Sequence, residues 1–555
     1  MADLYSPKKY TLGELLALTS PPICVPDWQR NFSWKLSNVE TFWLDLLAFS
    51  DRYPDNNIRD REYFLGSMVL VEDDASNLLL DGQQRLATAT ILISIIREFL
   101  ALYKEDAATR MAQDFIDRQN DATGEHTYKL TLNHYDREYF RQEVQTFPRP
   151  TNPPAAQLES HRLIHSAIEY AREQFRKKYE GLGAGLAGFN WALRIRRVLT
   201  EHMSVVAVNS KDRDSAEMVF ETLNDRGIGL STPDLLRNYL LREAARGNRD
   251  EIVSCWETVL AVTEEARVED FLRHFWLSKK GDIKTRRLYQ EIKQDLQKEK
   301  TDPLAFTREL RDSAQVYRRI VTATSDDPTQ EELLQEMRDL GARALYPAVL
   351  SALETLTDDK ANSFLKALIT LYVRHSLIGG LESTTLERYV YVYATNLREN
   401  RDVDALLGLI GEFAPDDEAF MARFAVASVN RRASARYLLK KLELARRRTE
   451  EVTVASPNKV HVEHIYPLEP SFPKWDNHES VVNRLGNQTL LSARLNQSIK
   501  NSPFDQKKST YATSDLLITK ELAALDAWNI DAADVRQKAM AVEAVSVWPL
   551  PVPAA

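Results

Sequence analysis

His461-Val462-Glu463-His464-Ile465-Tyr466-Pro467, followed by Leu485-Gly486-Asn487-Gln488-Thr489-Leu490-Leu491 and then Leu495-Asn496, is the stretch that decides how this chain is read. Three of the ten histidines, His461, His464 and His478, fall close together there. The alternation from Lys459 to Ile465 predicts a short strand, and the run after Ser492 predicts a helix. Taken one at a time, these residues read as a polar turn with histidines at strand ends. The ordered string reads instead as a hydrolytic site. Phosphodiester hydrolysis needs a base to activate water and a cation to neutralise charge on the phosphate and the leaving oxygen. A neutral imidazole supplies the base, and a carboxylate with an amide oxygen supplies hard ligands for Mg²⁺.

The string resembles the HNH, or ββα-metal, endonucleases, in the variant where Glu-His-Ile-x-Pro precedes Leu-Gly-Asn-x-Thr-Leu-Leu and then Leu-Asn. That resemblance implies His464 as the general base and Glu463 in the place of an acidic metal ligand, where many members have Asp. It implies Asn487 as the residue that positions the loop carrying the base, and Asn496 as a metal ligand. Mg²⁺ or Mn²⁺ is the implied cofactor. Lys507 and Tyr511 extend the match. Just upstream, Arg431 to Arg448 is a basic segment. Such a run is either a solvated helix face or a phosphate-tracking surface. Beside a nuclease string, Arg446, Arg447, Arg448 and Lys507 are expected to contact DNA.

A second constellation lies near the start, in Val25-Pro26-Asp27-Trp28-Gln29-Arg30-Asn31-Phe32-Ser33-Trp34 and Leu80-Asp81-Gly82-Gln83-Gln84-Arg85-Leu86. The latter block reads as a strand end, an Asp-Gly turn and the first turn of an amphipathic helix, with Leu86, Ala89, Ile93, Ile96 and Leu100 as its apolar stripe. A helix N-terminus suits phosphate. Asp81 either caps that helix or holds Mg²⁺, and Arg85 either pairs with an acid or joins Gln83 and Gln84 as a donor. A third block, Phe220 to Ser231, leads into a helix with Thr232 as its N-cap and Pro233 at its first position.

The three blocks together resemble the ParB/sulfiredoxin-like nucleotidase domain of GmrSD-type modification-dependent (type IV) restriction enzymes. That family couples such a domain to an HNH domain in this order and includes phosphorothioate-sensing relatives. The resemblance implies a bacterial anti-phage DNA endonuclease that binds and hydrolyses a nucleoside triphosphate, GTP or ATP, through Arg30, Asp81, Gln83, Gln84 and Arg85. Two alternatives stay open: an RNA-cleaving toxin, and a DNA-binding regulator with the same domains.

The expected fold class is α+β and mostly helical, in three parts. Residues 1–245 form a ParB-like α/β sensor domain, 246–435 a helical domain, and 436–555 a ββα-metal nuclease domain. Strands are predicted at Tyr63 to Val71, Leu78 to Leu80 and Met203 to Val208. Gly183, Gly185 and Gly188 satisfy G-x-G-x-x-G, but a charged helix precedes them where a dinucleotide site needs a strand. Pro549 to Ala555 reads as a proline-rich tail, disordered at its very end.

A chain of 555 residues needs more than one core. Its densest apolar run, Ala87 to Leu102, is interrupted by Ser94, Arg97 and Glu98 and is too polar to span a bilayer. The start lacks a signal-peptide layout, so cytoplasmic residence is expected. The two cysteines, Cys24 and Cys255, argue against a disulfide scaffold or a cysteine zinc site. A net charge of −9 rules out a uniformly basic coat, whereas a catalytic surface needs only local positive charge. The expected partners are double-stranded DNA and a nucleoside triphosphate, with no membrane. A homo-oligomer is compatible with the sequence and is not specified by it.

Overall fold

The computed structural model describes residues 5–17, 21–53, 58, 60–72, 76–119, 124–150, 152, 154–183, 185–210, 231–263, 268–281, 287–447 and 459–552. They form two compact units, Met1–Arg242 and Glu243–Ala555. The fold is α+β and mostly helical, as the sequence predicts. Phe220 to Leu230 and Arg448, both used in the sequence reading, lie outside the described residues.

In the first unit the strands are β1 (Tyr5–Thr11), β2 (Ile23–Cys24), β3 (Tyr63–Glu72), β4 (Asn77–Asp81), β5 (Asp117–Gln119), β6 (His126–Tyr128), β7 (Leu130–Thr131) and β8 (Met203–Ser210). Six of them make one mixed sheet in the order β1-β8-β3-β4-β2-β7, while β5 and β6 pair with each other. The predicted strands are β3, β4 and β8. Met68 and Leu70 of β3 belong to the main core, and Val69 and Val71 face a smaller cluster with Leu80, Trp28 and Leu235. Both faces are thus covered, which explains why β3 and β8 carry continuous apolar runs.

Helix α1 (Gln83–Ala101) follows β4 directly. The predicted single stripe is too narrow. Ile91, Leu92 and Ile95 are as deeply buried as Leu86, Ile93 and Ile96. The helices Glu105–Phe115, Glu159–Gly181 and Leu186–Arg197 all pack against α1, so nearly its whole circumference is interior. Arg97, buried within it, donates to the carbonyls of Gln145 at 2.9 Å and Val144 at 3.1 Å. We label Glu159–Gly181 α2. A helix therefore does precede the glycine run, and the dinucleotide fingerprint is excluded. Helix α3 (Thr232–Glu243) begins one residue earlier than predicted. Thr232 is its first residue, and it is Ser231 Oγ that meets the Asp234 backbone N–H, at 3.4 Å.

The second unit opens with helices from Arg249 to Phe424, matching the predicted helical stretch. Among them α4 (Pro328–Leu340) starts where Asp327 accepts from the Thr329 N–H, with Pro328 in the first turn, and ends on Gly341 at φ +69°. Then come α5 (Arg432–Arg446), β9 (Val460–His464), β10 (Gln488–Ser492), α6 (Ala493–Ile499), α7 (Phe504–Ala512) and α8 (Ile530–Val547). Arg374, fully buried, donates to the carbonyls of Trp548 at 2.7 Å and Pro415 at 2.9 Å and pairs with Asp417. Beyond Trp548 the chain stays seated: a side chain at Gly411 would lie 2.4 Å from the Pro551 carbonyl. Residues 553–555, where the disordered end is predicted, lie outside the described residues.

Candidate active site

β9 and β10 are antiparallel, with His464 opposite Gln488 and Glu463 opposite Thr489. Alternation therefore sends His464 and Glu463 to different faces of the ribbon. The expected strand-strand-helix order is present, since α6 starts on Ser492, whose side chain accepts from the Leu495 N–H. Asn487 is fully buried between the strands. Its Oδ1 accepts from Tyr466 N–H and Trp528 Nε1–H, each at 2.9 Å, and its Nδ2 donates to the carbonyls of Tyr466 at 3.0 Å and Val482 at 2.9 Å. With every amide position engaged, Asn487 pins the turn after His464 and has nothing left for a ligand.

Among the described residues β9 pairs only with β10, and a cleft of about 480 Å³ is lined by Val460 to His464. His461, Glu463, His464, Asn496, Lys500 and Asn501 line one part of it, and Arg432, Arg436 and Asp339 another. His464 Nε2 donates to Asn483 Oδ1 at 3.0 Å, which leaves Nδ1 with its lone pair. Burial holds this imidazole below its ordinary value, against the opposing Asn483 bond, and the positive charges of Lys507 and Arg432 act with burial. It is therefore neutral at pH 7, as a base must be. His478 instead gives its Nε2 to the Leu468 carbonyl at 2.9 Å, a buried structural contact.

Glu463 is buried and paired with Lys507, whose Nζ lies 2.5 Å from Oε1 and 2.8 Å from the His464 carbonyl. Burial pushes the Glu463 carboxyl up and the Lys507 ammonium down, while each partner opposes the shift of the other. Lys507 thus has no exposed charge for DNA, contrary to the expectation. The reason is the apolar wall of α7, whose Phe504 and Tyr511 belong to the local core. Arg446 and Arg447 are corrected similarly. Arg446 pairs with Glu521 and Glu543, and Arg447 with the fully buried Glu443. Glu521 and Glu543, distant in the chain, neutralise Arg446, and Glu443 one turn back neutralises Arg447; Arg448 lies outside the described residues.

Among the described residues no three His, Cys, Asp or Glu side chains converge as a ready metal cage. Glu463, Asn496 and His461 line the cleft, the Glu463 carboxylate being held from behind by Lys507. One carboxylate and one amide oxygen fit Mg²⁺ or Mn²⁺ that retains most of its water.

In the first unit, the turn from β4 to α1 is fixed by Gly82 at φ +95°, where a side chain would meet Met68 Cγ at 2.5 Å. Gly82, not Asp81, is the N-cap. Arg85 Nη1 donates to the Leu65 carbonyl at 2.9 Å, and its Nη2 lies 3.6 Å from Asp81. Arg30 lies 3.5 Å from Asp234. Burial raises the Asp81 carboxyl while Arg85, the Gly82 N–H and Arg30 lower it, so Arg30, Asp81 and Arg85 form one electrostatic group. Gln83 is buried. Gln84 is not a phosphate donor here. It is buried and bonded to Ser33 N–H at 2.8 Å and the Asn31 carbonyl at 3.1 Å, which locks the Arg30-bearing loop onto α1.

Residues 11–241 match the N-terminal domain of the GmrSD restriction endonucleases, and residues 414–543 match their C-terminal domain. The chain belongs to the GmrSD restriction endonuclease family. No curated protein matches it. A restriction endonuclease acts on DNA, so DNA is the substrate this GmrSD membership implies. No helix among the described residues is long and apolar enough to cross a membrane. The C-terminal GmrSD match begins at 414, upstream of the boundary at 436 drawn from the sequence. The structure gives a reason: Gln537 of α8 donates to the Phe424 and Ala427 carbonyls while its Oε1 accepts from Gly486 N–H. Sequence reasoning missed Asn483 and Asp339, whereas Arg432 falls within the basic segment it marked. Asn483 sits two residues before the Leu-Gly-Asn block, a short distance from residues already singled out; Asp339, far upstream, carries no such signal.

Proposed function

We propose that this GmrSD-family chain is an HNH-type, Mg²⁺- or Mn²⁺-dependent DNA endonuclease restrained by a nucleoside triphosphate, acting on phage DNA selected by its modification. The observation that carries the nuclease half is His464. A neutral imidazole, fixed through Nε2 by Asn483, opens onto a cleft that also holds Glu463 and Asn496. In this reading His464 Nδ1 takes the proton from the attacking water. Asn487 holds the following turn so that the ring cannot swing away. Glu463 and Asn496 would hold the ion, which when bound neutralises charge on the phosphate and the leaving oxygen.

The nucleotide half rests on Arg30, Asp81 and Arg85 gathered at the start of α1, two guanidinium groups beside a carboxylate. Guanidinium groups suit phosphate oxygens through paired N–H donors. A carboxylate beside them suits Mg²⁺ on a triphosphate. Incubation of plasmid and of total RNA with Mg²⁺ or Mn²⁺, with EDTA controls, tests the nuclease half. Plasmid cleavage lost in EDTA and in His464→Ala supports it; RNA cleavage alone favours the toxin alternative. Plaque counts on phages with modified and unmodified genomes test the choice of target.

A further inference from the structure

The basic residues expected to grip DNA are neutralised or buried, yet the cleft beside His464 is not short of positive charge. Arg432, in the first turn of α5, is exposed and lines the cleft, and it makes no ion pair with any acid among the described residues. Lys500, just after α6, is likewise exposed, cleft-lining and without an acidic partner there. The cleft's two acids are already answered: Glu463 pairs with Lys507, and Asp339 accepts from Gln335 and faces Arg436. Arg436 is also tied down, donating from Nε to the Val460 carbonyl at 3.1 Å. Among the described residues, two cations that line the cleft therefore remain without an acidic partner, Arg432 on α5 and Lys500 after α6.

We propose that Arg432 and Lys500 form a clamp on the phosphates of duplex DNA, one from α5 and one from the end of α6, in the cleft that His464 also lines. This rests on the nuclease reading above and gives it a binding surface. It also gives the helical region a role in the site: α4 supplies Asp339 to the cleft lining, where its charge acts on Arg436. The clamp lies outside the strand-strand-helix string on the Arg432 side. Phosphate contacts of this kind orient the duplex without reading its bases.

The experiment uses the full chain carrying His464→Ala, in EDTA, so that binding is read without cleavage. Anisotropy of a short labelled DNA duplex is followed across a salt series. Each neutralised phosphate contact contributes about 0.9 to the slope of log affinity against log salt. Arg432→Gln and Lys500→Gln should each make the slope shallower by about that amount and weaken binding severalfold, with additive effects in the pair. Lys538→Gln, an exposed cation on α8 away from the cleft, should leave the slope unchanged. Equal slopes in parent, Arg432→Gln and Lys500→Gln overturn the clamp. So does a loss in Lys538→Gln as large as theirs, or a loss seen with RNA of the same length but not with DNA. Predicted slopes, together with wild-type protein that leaves plasmid intact in Mg²⁺ and Mn²⁺, would uphold the clamp and remove the nuclease reading.

Discussion

Lys507 places its ammonium 2.5 Å from Glu463 Oε1, and both side chains are buried against the strand that carries His464. The pair faces away from His464 across β9, yet Lys507 also holds the His464 carbonyl at 2.8 Å. It therefore fixes the backbone of the base from behind while occupying one oxygen of the acid expected to bind metal.

Breaking that pair leaves a buried charge uncompensated, which costs about 3–5 kcal/mol. Lys507→Met should lower unfolding stability by that order, and Glu463→Gln by a similar amount. The double variant should lose less than the sum, because neither charge is stranded. Urea unfolding of the four proteins measures this, and additive losses would show that the two side chains do not depend on each other.

Mg²⁺ or Mn²⁺ binding to the native site should raise the unfolding midpoint of the wild type in proportion to the logarithm of ion concentration. Asn496→Ala should abolish the rise while keeping the fold, since Asn496 is half-exposed on α6. A midpoint indifferent to both ions in the wild type would remove Glu463 and Asn496 as ligands.

Asn483 fixes which nitrogen of His464 carries hydrogen. Asn483→Asp keeps an oxygen acceptor and should retain most cleavage, whereas Asn483→Leu should lose about 10²-fold or more in kcat, within the range of general-base contributions. DNA affinity should change little in either. Loss of affinity without loss of kcat would show that Asn483 binds DNA and does not orient the base.

Gly66, at φ +111°, leaves the space that Arg85 fills; a Cβ there would lie 2.5 Å from Arg85 Nη1. Gly66→Ala should therefore reproduce Arg85→Ala in phosphate-release assays with GTP and ATP, losing hydrolysis without touching a charged residue. Wild-type hydrolysis persisting in Gly66→Ala would mean that Arg85 is not needed in its present position.

His274 is buried, its Nδ1 bonded with Tyr317 Oη at 2.9 Å, and burial lowers its pKa from 6.5 to about 3. The unfolded chain takes up this proton first as pH falls, so the native state loses stability below pH 6.5 and continues to lose it toward pH 3. The slope from this one group is at most about 1.4 kcal/mol per pH unit. His274→Gln should flatten the acid limb of a stability profile; an unchanged limb would place the acid sensitivity elsewhere.

The strands and the local order of the His464 string were legible because local signals carry them. Val460 to His464 alternates, Ser492 caps α6, and Asn487 lies in a turn whose residues are contiguous. The turn from Asp81 through Gly82 was legible for the same reason. What escaped were side chains whose partners are distant in sequence. Nothing near Lys507 announces that Glu463, 44 residues away, will neutralise it, or that Glu521 and Glu543 will meet Arg446. A run of basic residues looks identical whether solvated or paired. Asp339 could not be placed at the cleft without the packing of α4 against α5. The amphipathic reading of α1 was too narrow because periodicity reports one apolar face, whereas a helix enclosed by several neighbours needs most of its faces apolar.

Arg374 lies fully inside the helical region, but one of its acceptors is the Trp548 carbonyl, 174 residues later. During synthesis the guanidinium has no such partner until the chain has been extended past Trp548, beyond His464, Asn487 and Asn496. Pro415 and Asp417 satisfy the rest of the guanidinium earlier in the chain, so the Trp548 carbonyl is its last acceptor to be made. Ending the chain before Trp548 would leave a buried guanidinium short of one acceptor, so a loss at that far segment would be felt inside the helices.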